Sequence, residues 1–317
     1  MNNLRKIGLS ALAGSLATFS VNAAEMSVSG AASISFDDTN RGFGDRGNSF
    51  YMGDSIKFNA SGETDGGIGV AVYYEWDGQI LDDHKITLSG GFGSLVFDGH
   101  GGSSAFGAID DKTPNAYEEA WDIIDTNGST SGGTPTVING VSANNMFIYT
   151  TPDMGGATLT ASYINGGGSA AAPEGSTSFA VAYTGMEGLT IGAGVSDNEE
   201  AESVTVDETT IYATYATGGF TIGVQSSDRD HTTAGSDLES IAYGITYAVN
   251  DDMSIGYSYH ELETESTTDE DQESTGISAS YTMGGMTLAG AMNDSDNMGG
   301  VAATDREGYE FTLSFAF

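Results

Sequence analysis

The C-terminal half of the chain alternates large apolar residues with small or polar ones at every second position. Ile241, Tyr243 and Ile245, for example, are separated by Ala242 and Gly244. A period of two is the signature of β-strands, because successive side chains on a strand point to opposite faces. The second face is rich in glycine, serine and threonine, which fill a dry core poorly. The pattern therefore predicts strands with one apolar face and one hydrated face.

A second regularity is a tyrosine followed by a short turn and another apolar strand. These tyrosines recur every 32 to 34 residues, at Tyr149, Tyr183, Tyr215, Tyr247 and Tyr281. That spacing fits two strands of about ten residues, a tight turn at one end and a longer loop at the other. The repeat is thus a hairpin, and we expect the last four tyrosines to form an aromatic girdle at one membrane interface.

Traced over the whole chain, the alternation predicts sixteen strands, with short glycine-rich turns and long acidic loops in alternation. The predicted ranges are 25–37, 50–62, 67–77, 83–91, 94–100, 145–151, 157–165, 177–184, 188–197, 208–216, 219–228, 238–248, 253–262, 274–283, 286–294 and 306–317. An even number of strands with such connections predicts an all-β fold, a 16-stranded antiparallel transmembrane β-barrel. Hydrocarbon offers no partner to unpaired backbone groups, so the sheet must close. We expect the last strand, ending at Phe317, to pair with the first.

The N-terminus has the pattern of a secretory signal peptide. Arg5 and Lys6 precede an apolar run over residues 7–19, and small residues at 21–23 provide a cleavage site. We therefore divide the chain into a signal peptide, residues 1–23, and a barrel domain, residues 24–317. The chain has no cysteine, which excludes disulfides and cysteine-bound zinc.

The chain is strongly acidic, with 45 Asp and Glu against 9 Lys and Arg and a formal net charge of −36. Such a charge repels nucleic acid and attracts divalent cations. Several carboxylates crowd one predicted external loop, including Glu263, Glu265, Asp269 and Asp271. Bridging of these groups by Ca²⁺ or Mg²⁺ and simple screening by salt are both open there. We expect no other cofactor.

Catalytic motifs are not evident in the sequence. The four histidines lack metal-ligand spacing, and carboxylate pairs are too common to mark a glycosidase. No nucleophile elbow or phosphate-binding loop is present. The sequence predicts a protein that is not an enzyme.

The signal peptide, a mature start from Ala24 to Gly30, sixteen strands and a terminal Phe317 resemble the general-diffusion porins of Gram-negative bacteria. Among these, the chain most resembles the Rhodobacter-type porins of alphaproteobacteria. The resemblance implies a homotrimer in the bacterial outer membrane, surrounded by membrane lipid and lipopolysaccharide. It also implies a water-filled channel for passive diffusion of small hydrophilic solutes and ions, narrowed by an infolded third external loop.

One connection, residues 101–144, is long enough to be that constriction loop. Thr113 as N-cap and Pro114 as first helical residue predict a short helix that places Glu118 and Asp122 on one face. By the resemblance, loop carboxylates would form the acidic side of the constriction: Asp110, Asp111, Glu118, Glu119 and Asp122.

The resemblance also implies basic residues on the opposite wall of the pore, and three are candidates here: Lys57, Lys85 and Arg306. Strand parity points them into the lumen, since a charge facing lipid costs about 2–4 kcal/mol near the bilayer midplane. Three are few for a basic cluster, so we expect a weak transverse field and a pore that prefers cations. A substrate-selective outer-membrane channel and, as a third class, a secreted acidic calcium-binding β-protein remain alternatives at this point. The third class does not explain the alternation of short and long connections.

Overall fold

The computed structural model describes residues 25–39, 49–78, 80–123, 137–166, 175–201, 204–265 and 270–317. The predicted signal peptide, residue Asp269 of the acidic loop and part of the predicted constriction loop lie outside these ranges. Within them, no helix has the length and apolarity needed to cross a membrane. The only helical turn among the described residues is a 3₁₀ turn at Met298–Gly300.

Sixteen antiparallel strands form one closed sheet, as predicted. In chain order they are β1 Glu25–Thr39, β2 Ser49–Glu63, β3 Gly69–Asp77, β4 Ile80–Gly90, β5 Gly93–His100, β6 Met146–Thr150, β7 Ala157–Asn165, β8 Gly175–Met186, β9 Leu189–Ala201, β10 Val204–Thr217, β11 Phe220–His231, β12 Leu238–Ala248, β13 Met253–Thr264, β14 Gln272–Met283, β15 Met286–Asp296 and β16 Arg306–Ala316. Each strand pairs with its sequence neighbours, and β16 pairs with β1. The barrel therefore has no open edge.

The closing seam extends to the last residue. Phe317 donates its N–H to the carbonyl of Gly30 at 3.0 Å, and Gly30 donates to the carbonyl of Phe317 at 2.8 Å. A Cβ atom on Gly30 would lie 2.7 Å from the Phe317 ring. The glycine therefore leaves the space that this terminal ring occupies.

The two faces of the wall differ as the alternation predicts. On β9, Ile191 and Val195 point outward and are exposed in the single protomer, whereas Ser196 and Asn198 point inward and are buried. The four girdle tyrosines lie on the outer surface beside the short turns, 36–48% exposed: Tyr183, Tyr215, Tyr247 and Tyr281.

The wall is not equally tall all round. Strands β3 to β7 have 5 to 11 residues, whereas β8 to β16 have 11 to 14. Strand β4 begins at Ile80, earlier than the predicted start at residue 83. The side of the barrel around β3 to β6 is therefore the low side.

Candidate pore constriction

The long connection between β5 and β6 folds into the barrel. It leaves β5 through a two-stranded ribbon, Gly102–Ser103 with Ser142–Ala143. The backbone N–H of Ala105 then donates to Ser162 Oγ on β7 at 3.0 Å, and that of Phe106 to Ser178 Oγ on β8 at 3.1 Å. Inward-facing serines thus accept hydrogen bonds from backbone N–H groups of the loop inside the barrel.

A buried glutamine on β11 holds the next part of the loop. Gln225 is 4% exposed. Its Nε2 donates to the carbonyl of Ile109 at 2.8 Å, and its Oε1 accepts from the N–H of Lys112 at 2.7 Å. One amide side chain therefore supplies hydrogen-bond partners to two backbone groups of the loop that would otherwise have none.

Inward glycines form the surface on which the loop lies. A Cβ atom on Gly194 of β9 would lie 2.7 Å from the Ile109 side chain, and one on Gly276 of β14 would lie 2.9 Å from Ala120 Cα. Gly244 of β12, between them, would overlap the backbone of Pro114. With a side chain at these positions the loop could not lie flat against the wall.

The helix predicted from Thr113 and Pro114 is absent, and this prediction is wrong. Residues 111–115 have no regular structure, and residues 116–118 and 120–123 form bends and turns. The physical reason is competition from the wall: the N–H of Ala116 donates to Ser278 Oγ on β14 at 3.1 Å, and Asn293 on β15 donates to the carbonyl of Glu119. Ser278 thus binds the N–H that the Thr113 side chain would bind as N-cap, and Asn293 binds a carbonyl that a continuing helix would have paired.

The far end of the loop reaches β16. The Tyr117 hydroxyl contacts Glu310 and donates to Thr312 Oγ1 at 2.9 Å. Tyr51 of β2 donates to the same Glu310 carboxylate, and Ser35 of β1 lies 2.7 Å from Thr312 Oγ1. The loop therefore crosses the inner wall from β7 to β16, and the low side of the barrel remains opposite it.

The loop brings carboxylates together without a helix. One oxygen from each of Glu118, Glu119 and Asp122 lies within 4.8 Å of the others. Burial first, then hydrogen bonding to and repulsion by Asp122, raises the pKa of Glu118 to about 8 and that of Glu119 well above its ordinary range. Asp111, hydrogen-bonded to Glu119, also has a raised pKa, mainly through burial. Burial and mutual repulsion thus make Glu118 and Glu119 harder to ionise than separate carboxyl groups.

Asp110 has a different role in the loop. Its Oδ2 accepts the N–H of Gly140 at 2.7 Å, which ties the outgoing part of the loop to the returning part. Burial raises the pKa of Asp110 to about 6, although this hydrogen bond opposes the shift. It supports the loop as well as contributing charge.

Two of the predicted basic residues, on β2 and β4, each lie beside a carboxylate of the adjacent strand. Lys57 Nζ is 3.2 Å from Glu75 Oε1, and Lys85 Nζ is 4.0 Å from Asp98 Oδ2. Lys85 also lies 5.0 Å from the centre of the Tyr73 ring. Their charges are thus offset locally and do not form a basic cluster separate from acids.

Arg306 is placed elsewhere. It is buried at the first position of β16 and shares the inward parity of Glu310, four residues further along the strand. It pairs in register with Ser295 of β15, near the loop end of the barrel. Arg306 is therefore not brought beside Lys57 and Lys85, which lie on β2 and β4.

The sequence of this barrel matches one protein-family model. Residues 8–292 match the model described as Gram-negative porin. The chain belongs to the Gram-negative porin family. It is accordingly an outer-membrane β-barrel channel and not an enzyme, and neither of the alternative functions is favoured.

Solved structures of similar fold are distant in sequence. They include an anion-selective porin from Comamonas acidovorans, with 16% identity, a TM-score of 0.71, and coverage of 93% of this chain and 100% of that one. OmpT of Vibrio cholerae has 14% identity, a TM-score of 0.70, and covers 94% and 99%. A mutant of the Rh. blastica porin has 14% identity, a TM-score of 0.65, and covers 92% and 100%. No curated protein is significantly similar in sequence to this porin.

The candidate divalent-ion loop of this porin is not assembled as a site among the described residues. Two groups of three acidic side chains there could hold an ion, and neither includes Glu263, Glu265 or Asp271. Asp269 lies outside the described residues. Bridging at this rim stays a prediction.

Residues that hold the constriction loop were missed from the sequence, although a signal for them exists. Gln225, Asn293 and Tyr117 each form a hydrogen bond between the loop and the wall, joining residues more than 100 positions apart. Gln225 and Asn293 are amide side chains whose inward neighbours two residues away on either side are small: Gly223 and Ser227 on β11, and Ala291 and Ser295 on β15. A long polar residue interrupting such a face marks a point where another backbone approaches.

Proposed function

We propose that this porin is a trimeric, cation-preferring channel for passive diffusion of small hydrophilic solutes and ions. The observation that carries the proposal is the excess of carboxylates around the passage between the loop and the low wall. The loop contributes five carboxyl groups, Asp110, Asp111, Glu118, Glu119 and Asp122, of which Glu118 and Glu119 gain their charge only as pH rises. The low wall adds more, including Glu75 and Asp98. A narrow aqueous passage with this imbalance concentrates cations and excludes anions.

The fold does not determine whether the channel prefers cations or anions. One porin with the same fold is described as anion-selective, so the lumen charges decide. In this chain Lys57 and Lys85 are paired with wall carboxylates, and Lys112 is a single exposed cation on the loop. These three charges do not balance the acids around them.

The test is a reversal-potential measurement in planar bilayers with a KCl gradient. We expect the potential to have the sign of K⁺ preference, and the preference to grow as salt is lowered and the screening length approaches the pore radius. A potential of the chloride sign in the unmodified protein would refute the proposal. Failure to form channels at all would refute diffusion itself.

Trimer formation is supported by the outer surface of strands β2 to β4. Phe50, Met52, Trp76 and Ile80 are 44–77% exposed on the outer surface there. A similar structure is recorded in a trimer form. We expect Ile80→Arg to release monomers in mild detergent, whereas Ile211→Arg on the tall side leaves the trimer intact; equal behaviour of the two variants would contradict this assignment.

Within the family, we group the chain with the Rhodobacter-type porins, on its mature start and terminal Phe317. We also propose that Ca²⁺ or Mg²⁺ bridges the acidic rim at Glu263, Glu265 and Asp271. The rim proposal is tested by chelation at constant ionic strength.

A further inference from the structure

A groove on the outer surface of the barrel crosses strands β13 to β16. Four residues stand in register across these strands and form an apolar row: Tyr257, Ile277, Met292 and Tyr309. The two tyrosines flank the two aliphatic side chains, and the groove that the row lines has a volume of about 450 Å³. That volume is in the usual range of ligand pockets, about 300–1,000 Å³.

The edge of the groove nearest the external loops is acidic. Asp294 and Glu307 stand directly opposite each other on β15 and β16, two residues along each strand from Met292 and Tyr309. Like charges in directly opposite positions repel each other. Asp38 of β1 completes this acidic edge, because its Oδ2 accepts a hydrogen bond from the Tyr309 hydroxyl at 3.2 Å.

The acidic edge is not neutralised by basic side chains in the described part of the chain. None of its three carboxylates forms an ion pair there. Beyond Arg229 the sequence contains a single lysine or arginine, Arg306, which is buried with the inward parity of the lumen residues. The edge is therefore open to a positively charged group from outside the chain.

The separation of the apolar and acidic parts fits an amphiphile. Two residues along a strand span about 7 Å, so the carboxylates lie about that far from the apolar row, toward the membrane surface. Ile277 and Met292 are 64% and 63% exposed in the protomer and point outward, where the lipid lies. A phosphate head at this height would be repelled by the carboxylates, whereas an ammonium head would form charge-assisted hydrogen bonds with them.

We propose that this groove binds a lipid with a positively charged amine head. Its alkyl chain lies on the apolar row between the two tyrosines, and its amine lies between Asp294 and Glu307, with Asp38 as a third acceptor. The ammonium group offsets the repulsion between the two opposed carboxylates. The barrel thereby selects the lipid beside β13 to β16 by the charge of its head.

The test is native mass spectrometry of the purified porin in a nonionic detergent, with dodecylamine or dodecyl phosphate added at the same concentration. The two probes share one alkyl chain, and the amine is charged at neutral pH because its pKa is close to that of lysine, about 10.4. We expect one dodecylamine to be retained per protomer, and dodecyl phosphate to be retained at least about tenfold more weakly.

Two variants separate the role of charge from that of shape. Asp294→Asn with Glu307→Gln should weaken dodecylamine retention at least about tenfold, because two charge contacts are lost. Thr275→Trp places a large ring in the groove without changing its charge, since Thr275 also lines it, and should abolish retention. The matched control is Asp207→Asn with Asp230→Asn, which removes another in-register pair of exposed carboxylates, on β10 and β11. It should retain dodecylamine as the unmodified protein does.

Equal retention of the two probes, no retention of dodecylamine, unchanged retention in either groove variant, or its loss in the control would overturn the proposal. Release of monomers by a groove variant would show that the groove is a subunit contact, and would also overturn it. A second measurement needs no variant: crystals of the unmodified protein soaked with dodecylamine brominated midway along its chain should show an anomalous peak over Ile277 and Met292. Absence of that peak would overturn the proposal even if the variants failed to fold.

Discussion

Raising the pH from 7.5 to 9 should strengthen the cation preference of this porin mainly through Glu118. Burial first, and then the contact with Asp122, raises the pKa of both carboxyls, and that of Glu118 to about 8. A group with a raised pKa is neutral below that value and gains its negative charge as pH increases through it. Between pH 7.5 and 9 the cluster should therefore gain negative charge at the constriction.

The size of the effect follows from Coulomb's law. A unit charge about 5 Å from an ion in water contributes about 0.8 kcal/mol, favourable for a cation and unfavourable for an anion. The difference, about 1.6 kcal/mol, corresponds to about an order of magnitude in the cation-to-anion ratio per added charge. Screening reduces this at high salt, because the Debye length falls from about 30 Å at 0.01 M to about 3 Å at 1 M.

The assay is the reversal potential in a KCl gradient at pH 7.5 and pH 9, a window above the ordinary titration of histidine. The unmodified porin should become more cation-selective, and Glu118→Gln with Glu119→Gln should remove most of that change. The rim variant Glu263→Gln with Glu265→Gln should keep it. A selectivity independent of pH in the unmodified protein, or the same pH response in both double variants, would refute the assignment of these carboxyls to the constriction.

Three further perturbations test the loop, the seam and the rim. Gly244→Leu should displace the loop from the wall at Pro114 and change single-channel conductance. The control Gly62→Ala, with nothing within 4 Å of the new Cβ, should leave the conductance unchanged. If both variants conduct like the unmodified protein, the loop does not lie against Gly244. Deleting Phe317 removes two backbone hydrogen bonds at the seam, each worth about 1 kcal/mol. The barrel should therefore unfold at a lower temperature, measured by the heat-dependent change in its migration on a denaturing gel. If chelation leaves trimer melting unchanged at constant ionic strength, divalent bridging of the rim is wrong.

The barrel could be predicted from the sequence because its requirements are local. The bilayer forces every second residue of each strand to be apolar, and it forbids an unpaired edge. Strand number, closure between β1 and β16 and the outward tyrosines follow from these two conditions. The long connection of residues 101–144 could be identified in the same way, from its length alone.

The constriction could be predicted only in part, because its geometry depends on residues far apart in the chain. The propensity at Thr113 and Pro114 favours a helix, yet Ser278 and Asn293 compete for the same backbone groups and a helix does not form. Strand parity points Lys57 inward, but parity cannot show that Glu75 is its partner on the next strand. Those pairings depend on register between strands.

The sequence by itself determined that this chain is a closed, strongly acidic β-barrel with one exceptional loop, since alternation, charge and connection length are properties of neighbouring positions. The tertiary structure alone decided where that loop lies and which charges face one another. The inward glycines at positions 194, 244 and 276 are weak signals singly, and they become a docking surface only when register aligns them. Register likewise places the apolar row of the outer groove beside its acidic edge, because Met292 and Tyr309, and then Asp294 and Glu307, stand opposite each other on neighbouring strands.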